Sequence, residues 1–378
     1  MLSLFAFILA VLLVIGGTLT KRLDVAVSLP LAAVLYGVLS MGSSVARATV
    51  DALNYSMFEV ITALVLAMAL GYLMRSRREA LASGLTSVGP RFAAFAIPAA
   101  IGLLPMPGGA YISAVVADPL YNKMGLKSHE KTFLNYWMRH IWIPVWPLFQ
   151  GVLITSAVLS EPVSRVMSWS WPASLAAVVG GVAVATPLVR KIETRGRARD
   201  LIELWPLALV AALSAVFHIY LAVAAALLLY IAVYRVGAAD LAAAFRYALS
   251  PRIMAIIVSS LVFSQYIKES GLGEFLASNL GGAAVMAAFL VPFLIGLATG
   301  VEFTFAALAF PPLSPLLHGH LLAVAFLGGF LGVMLSPAHS CFVLTVDYYR
   351  ADTSRVYALL IRAALLAVVA AIPLYILF

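Results

Sequence analysis

Apolar residues run along this chain in long blocks, and polar residues collect between them. A helix needs roughly 20 apolar residues to cross the hydrocarbon core of a bilayer. Ten blocks predict such crossings: Leu2–Thr20, Val25–Met41, Phe58–Met74, Thr132–Leu159, Trp169–Leu188, Leu204–Phe217, Ile219–Val236, Ile253–Lys268, Leu321–Val346 and Val356–Phe378. Leu204–Phe217 is the shortest. Two further blocks are interrupted. Arg91–Leu120 is broken by Pro105-Met106-Pro107-Gly108-Gly109, and Gly281–Leu317 by Thr299-Gly300-Val301-Glu302. Their arms, about 11–18 residues or about 16–27 Å at 1.5 Å per residue, suit re-entrant hairpins better than full spans. Two short complete spans joined by a turn are the other reading.

Composition agrees with burial in lipid. The 378 residues are 63% hydrophobic and 11% charged, against about a quarter charged in a soluble domain. That excludes a soluble enzyme, a nucleic-acid-binding domain and a disordered protein. The first apolar block lacks a basic leading region and outruns a signal peptide's core, so it reads as a retained helix. The single cysteine, Cys341, excludes a disulfide framework, and no Cys-based metal site is expected. No metal and no cofactor is expected, apart from H+ or Na+ as a coupling ion.

The net charge of +8 carries topological information. With the N-terminus outside and each hairpin returning to its own side, 17 of the 24 Lys and Arg fall on the cytoplasmic side. Three (Arg47, Arg165, Lys268) fall outside, and four (Arg91, Lys131, Arg139, Arg362) lie within or at the edge of apolar blocks. This asymmetry predicts ten crossings with both termini outside, in the plasma membrane.

The halves resemble each other at a shift near 194 residues. Ile97-Pro98-Ala99-Ala100-Ile101-Gly102-Leu103 matches Val291-Pro292-Phe293-Leu294-Ile295-Gly296-Leu297, Tyr36 matches Tyr230, and Tyr72 matches Tyr266. Ile143-Pro144-Val145-Trp146-Pro147 falls near Leu335-Ser336-Pro337-Ala338-His339-Ser340. Five crossings per half is odd, so the second half must run inverted. The expected organisation is a first repeat over 1–190, a basic cytoplasmic linker over 191–202 and an inverted repeat over 203–378. Inverted repeats with helices broken near the midplane are the pattern of secondary transporters. Backbone groups freed by a proline are tolerated in lipid only where they face protein, water or a ligand. Two breaks and two tips therefore mark one shared site.

The order of three helices, hairpin, broken helix and helix, given twice inverted, resembles the ion transporter superfamily of gluconate, citrate and dicarboxylate permeases. Leu103-Leu104-Pro105-Met106-Pro107-Gly108-Gly109-Ala110 resembles more specifically its branch known as domain of unknown function 401. The resemblance implies an all-α elevator transporter, with a homodimeric scaffold made by the first three helices of each half. The hairpins and last two helices would form the moving domain. Sodium/dicarboxylate members carry Ser-Asn-Thr at both tips. Here the tips read Pro-Gly-Gly and Gly-Val-Glu-Phe-Thr, so neither sodium coupling nor dicarboxylate specificity carries over.

Glu302 and His339 are the candidates for proton or cation coupling. A carboxylate at membrane depth is costly, and an imidazole suits proton relay. Glu302 in the cytoplasm, and His339 bonded to a carbonyl freed by Pro337, remain open alternatives. Substrate-binding candidates are Pro107, Gly108, Gly109, Arg139, Pro144, Trp146, Thr299, Gly300, Thr304, Ser336 and Ser340. Arg139 either clamps an anion or snorkels towards the cytoplasm. Gln150, Asn135 and Thr155 are candidate hydrogen-bonding groups. Cys341 reads as packing, and His318 with His320 is a weak metal signal. The function expected is secondary transport of a small anionic metabolite, with a lipid bilayer and a small molecule as partners and no nucleic acid. The alternatives are an intramembrane enzyme acting on a lipid or membrane substrate, and a channel. His-Glu-x-x-His, Gly-x-Ser-x-Gly and P-loop motifs are all missing, and His129-Glu130 lacks its second histidine.

Overall fold

A computed structural model describes residues 2–20, 22–104 and 108–377. Among these residues the chain is all helix, without a strand. Local chemistry sets several boundaries. The Asp24 carboxylate accepts the Ala26 N–H to start Val25–Met41, and the Asn54 side chain accepts the Met57 N–H to start Tyr55–Met74. Pro90 opens Pro90–Gly102, where its missing N–H costs nothing.

Among the described residues, six helical stretches are long and apolar enough to cross a membrane: Leu2–Leu19, Val25–Ala52, Tyr55–Val88, Val163–Ala185, Leu272–Thr299 and Thr353–Leu377. The number rises to eight if two bent pairs each count as one span. Those pairs are Ala238–Ala248 with Pro251–Glu269, bent by 44°, and His320–Leu335 with Ser340–Tyr349, bent by 41°. Several of the ten expected blocks fold as broken or short helices. Thr132–Leu159 resolves into Ser128–His140 and Gln150–Leu159, separated by a stretch that holds Pro144 and Pro147. Trp205–Ser214 has only 10 residues and Ile219–Tyr234 only 16. The arm expected to begin at Gly281 continues back through Leu272 as one apolar run.

Both interrupted blocks fold as hairpins of unequal arms. The first pairs Pro90–Gly102 with Gly109–Lys123. The second pairs Ala284–Thr299 with a return arm split into Thr304–Leu308 and Phe310–Leu313, the split falling where Pro311 and Pro312 interrupt the helix. Each outgoing arm packs against the first part of a broken helix: Pro90–Gly102 on Ser128–His140, and Ala284–Thr299 on His320–Leu335. Small residues permit the approach, as is usual between membrane helices. A Cβ on Gly102 would strike the Arg139 carbonyl. A Cβ on Gly328 or Gly332 would strike the carbonyls of Phe289 and Phe293.

Around these elements, Val25–Met41 packs on Pro251–Glu269 and Tyr55–Met74 on Ile219–Tyr234. The Tyr36 hydroxyl is 2.5 Å from Ser270 Oγ, and the Tyr230 hydroxyl donates to the Leu73 carbonyl at 3.3 Å. The outward faces of the peripheral helices are apolar too. Phe5, Leu12, Leu228, Leu365 and Val369 are among many large apolar side chains left open there. Such a surface is stable facing lipid and costly facing water.

Candidate functional site

The two hairpin tips and the two helix breaks converge on one cavity of about 310 Å³. Its wall includes Gly108 and Gly109 from the first tip, Gly300, Val301, Glu302 and Phe303 from the second, Phe149 and Gln150 after the first break, and His339, Ser340 and Cys341 at the second. Three helices of ten or more residues therefore begin at this wall: Gly109–Lys123, Gln150–Leu159 and Ser340–Tyr349. The first N–H groups of a helix lack intrahelical partners and carry the positive end of its dipole.

Arg139 supplies a full positive charge to the same wall. It is 8% exposed, so its charge is held within the protein. Its Nη1 donates to the Ile101 carbonyl at 3.1 Å, while Nε finds no hydrogen-bond partner among the described residues. Gly109 makes room for it, since a Cβ there would run into the guanidinium. Gly108 and Gly300 both adopt left-handed backbone, with φ of 62° in each case.

The second tip is braced from within. Thr304 Oγ1 donates to the Val301 carbonyl at 2.8 Å and lies 2.5 Å from Thr299 Oγ1. Glu302, three-quarters buried, points back into the protein, with Oε1 3.5 Å from His140 Nε2. His140 Nε2 is in turn 3.3 Å from His339 Nε2. His140, Glu302, His339 and Cys341 place one potential ligand atom each within 4.8 Å of one another. The sequence alone assigns no role to His140 and reads Cys341 as packing, so this cluster is visible only in the folded chain.

Other candidates occupy different places. Trp146 does not line this cavity; its indole N–H donates to the Leu103 carbonyl at 3.0 Å and holds the first tip. Ser336 is fully buried and accepts the Ala338 N–H at 3.2 Å, shaping the second break. Pro144 is buried outside the cavity wall, and Pro107 lies outside the described residues. Asn135 donates to the Ala110 carbonyl and Thr155 to the Gly151 carbonyl. Gln150, by contrast, faces the cavity and a second one of about 480 Å³. The two cavities share Gln150, Ile253, Gly300, Val301, Phe303 and Ser340, and the second opens beside the Arg252–Asp24 ion pair of 2.5 Å. His318 and His320 lie apart from this cluster, each edge-to-face with an aromatic ring, Trp169 and Tyr375 respectively.

Residues 1–377 match a family model described as Protein of unknown function (DUF401). No curated protein matches the chain.

Proposed function

Because the chain belongs to the DUF401 family, whose description assigns no activity, we propose from the site itself that it is a secondary active transporter for a small organic anion. One observation carries this reading: a buried guanidinium and three helix N-termini share one cavity at the meeting point of two tips and two helix breaks. Preorganised N–H dipoles and an arginine fork suit a carboxylate or a comparable oxyanion. The coupling ion is H+ or Na+, and Glu302 and His339 line the wall where it would bind.

We propose alternating access of the elevator type built on an inverted repeat, and several pairings support the repeat. The helices starting at Val25, Tyr55, Arg78 and Pro90 are followed in the same order by helices starting at Ile219, Pro251, Leu272 and Ala284. Their contacts exchange partners: Val25–Met41 meets Pro251–Glu269, while Tyr55–Met74 meets Ile219–Tyr234. Tyr36 and its shift-mate Tyr230 each send a hydroxyl to the far end of the opposite helix pair. In this reading the crossed helices form the scaffold of a homodimer, and the hairpins with the broken helices move against it. In the same reading both termini lie outside the plasma membrane, which the bias of Lys and Arg between the loops supports.

Purified protein in proteoliposomes tests the proposal. Under an imposed H+ or Na+ gradient, a panel of labelled small carboxylates is offered, and at least one should accumulate above equilibrium. Uptake should saturate, and Arg139→Gln should weaken it by raising KM. Folded protein that accumulates no member under either gradient would overturn the reading, and lipid turnover in the same vesicles would point to an intramembrane enzyme instead.

A further inference from the structure

The ring tautomers of the histidine pair are set by their neighbours. His140 Nδ1 lies 2.6 Å from the Tyr136 carbonyl, and His339 Nδ1 lies 2.5 Å from the Gly300 carbonyl. A carbonyl only accepts, so each Nδ1 carries the hydrogen. In the neutral rings each Nε2 is then a bare lone pair. These two lone pairs face each other across 3.3 Å, with the Glu302 carboxylate 3.5 Å from one of them and the Cys341 sulfur completing the group. Four Lewis bases converge, and a cation at their centre turns mutual repulsion into attraction.

We propose that His140, Glu302, His339 and Cys341 together bind one divalent d-block cation of the zinc class. The spacing suits it. Two nitrogens bound tetrahedrally at Zn–N of about 2.0–2.1 Å stand about 3.3–3.4 Å apart. Two of the six edges match closely, 3.3 Å between the imidazoles and 3.5 Å from imidazole to carboxylate, and all four ligand atoms lie within 4.8 Å of one another, a spread that an ion would draw in. The donor set suits it as well. Imidazole and thiolate favour Zn2+, Co2+ and their neighbours, whereas Mg2+ and Ca2+ take oxygen ligands. One carboxylate and one thiolate balance the charge of a divalent ion, and the thiol proton leaves to solvent on binding. Both Nδ1–H groups are held by backbone carbonyls, the outer-shell arrangement that orients metal-bound histidines. With four protein ligands the site is closed, as structural sites are.

The ion would tie the two halves of the chain together. His140 ends the Ser128–His140 helix of the first half, whereas Glu302, His339 and Cys341 belong to the second tip and second break. Occupation would also remove Glu302 and His339 from any coupling ion. Binding itself needs no solute to move, so the inference reaches beyond transport.

The experiment is a Co2+ titration of chelator-treated, detergent-purified full-length protein. One equivalent per chain should bind, with a thiolate-to-cobalt charge-transfer band in the near ultraviolet and the intense visible bands of tetrahedral cobalt. Zn2+ should displace it, and Mg2+ or Ca2+ should not. Cys341→Ser should abolish the charge-transfer band and weaken Zn2+ by more than the roughly 10–100-fold that even an outer-shell partner costs. A double variant, His318→Gln with His320→Gln, should bind as wild type does. Absence of the band in wild-type protein overturns the proposal whatever the fate of the variants. An unchanged band or affinity in Cys341→Ser overturns it too. Because the readout is bound metal, its failure leaves solute uptake to be judged separately, and the converse holds.

Discussion

His140, at the end of a helix, and His339, in a helix break, come from opposite sides of the chain's midpoint, yet their Nε2 atoms stand 3.3 Å apart. Both rings are nearly sealed from solvent, at 1% and 2% exposure. A ligand that joins them therefore joins the two halves and adds to stability by mass action. Zn2+ at 100 times its Kd should stabilise the fold by about 2.7 kcal/mol. Thermal unfolding followed by tryptophan fluorescence should show the corresponding rise in Tm, and His140→Asn should abolish it.

Arg139 is the only full positive charge on the wall of the central cavity among the described residues. A hydrogen bond to a charged group contributes about 1.5–3 kcal/mol, so Arg139→Gln should raise KM for the transported anion roughly 10–100-fold. Arg139→Lys keeps the charge but loses the planar fork, and it should recover only part of that loss. Initial rates in proteoliposomes across a range of substrate concentrations give both values. An unchanged KM in Arg139→Gln would remove Arg139 from the binding site.

Gly102 and Gly108 should respond differently to alanine. At Gly102 the new methyl group meets the Arg139 carbonyl, and overpacking of this kind costs about 1–3 kcal/mol while shifting the guanidinium. At Gly108 no described atom lies within 4 Å, and the cost is the left-handed backbone alone, about 1–2 kcal/mol. Thermal stability should fall in both, whereas substrate affinity should fall more in Gly102→Ala.

Tyr36→Phe and Tyr230→Phe remove one hydrogen bond each between the crossed helix pairs. Each should cost about 0.5–1.5 kcal/mol. The two sites share no partner, so the double variant should show the sum in denaturant unfolding.

Asp200 offers a pH test outside the membrane-spanning helices. The Ser83 hydroxyl, followed by Arg197 and Arg199, holds its carboxyl below the usual carboxylate value, against the opposing effect of burial. Arg197 Nε donates to it at 2.9 Å, and the Ala198–Leu204 turn packs on Arg78–Val88. A carboxylate with a depressed folded pKa contributes stability above its unfolded value of about 3.9, and the contribution is lost as pH falls through the folded value. At neutral pH, Asp200→Asn should speed tryptic cleavage after Arg195, Arg197 or Arg199. At acid pH, below the folded value, wild type and variant should be cut by pepsin at the same rate.

Most helices are legible in the sequence because an apolar block bounded by Asp24, Asn54 or a proline states its own ends. Glu302, Arg139 and the tip glycines stand out as polar or small residues inside such blocks. The hidden part lies in pairings that no local pattern encodes. His140 reads as the last residue of an ordinary helix until the second half is folded against it, and Cys341 reads as a small apolar filler. Trp146 is ambiguous for a related reason. A tryptophan beside a break can face the cavity or turn its N–H to a carbonyl, and only the position of Leu103 decides. Apolar blocks also say little about continuity. Pro144 and Pro147 divide one block into two helices, and Trp205–Ser214 stops after three turns.

The glycine seam between Ala284–Thr299 and His320–Leu335 has a mechanical consequence. Gly328 and Gly332 bring one helix so close to the carbonyls of Phe289 and Phe293 that neither lipid nor water fits between them. Two helices in such contact bend together or not at all, and the pair behaves as a stiff plank. Any bending then falls on the non-helical segments at its ends, Gly300–Phe303 and Ser336–His339, which the His339–Gly300 hydrogen bond links to each other. Glu302 and His339 sit in those segments, so force applied to the plank is delivered where the ligands are.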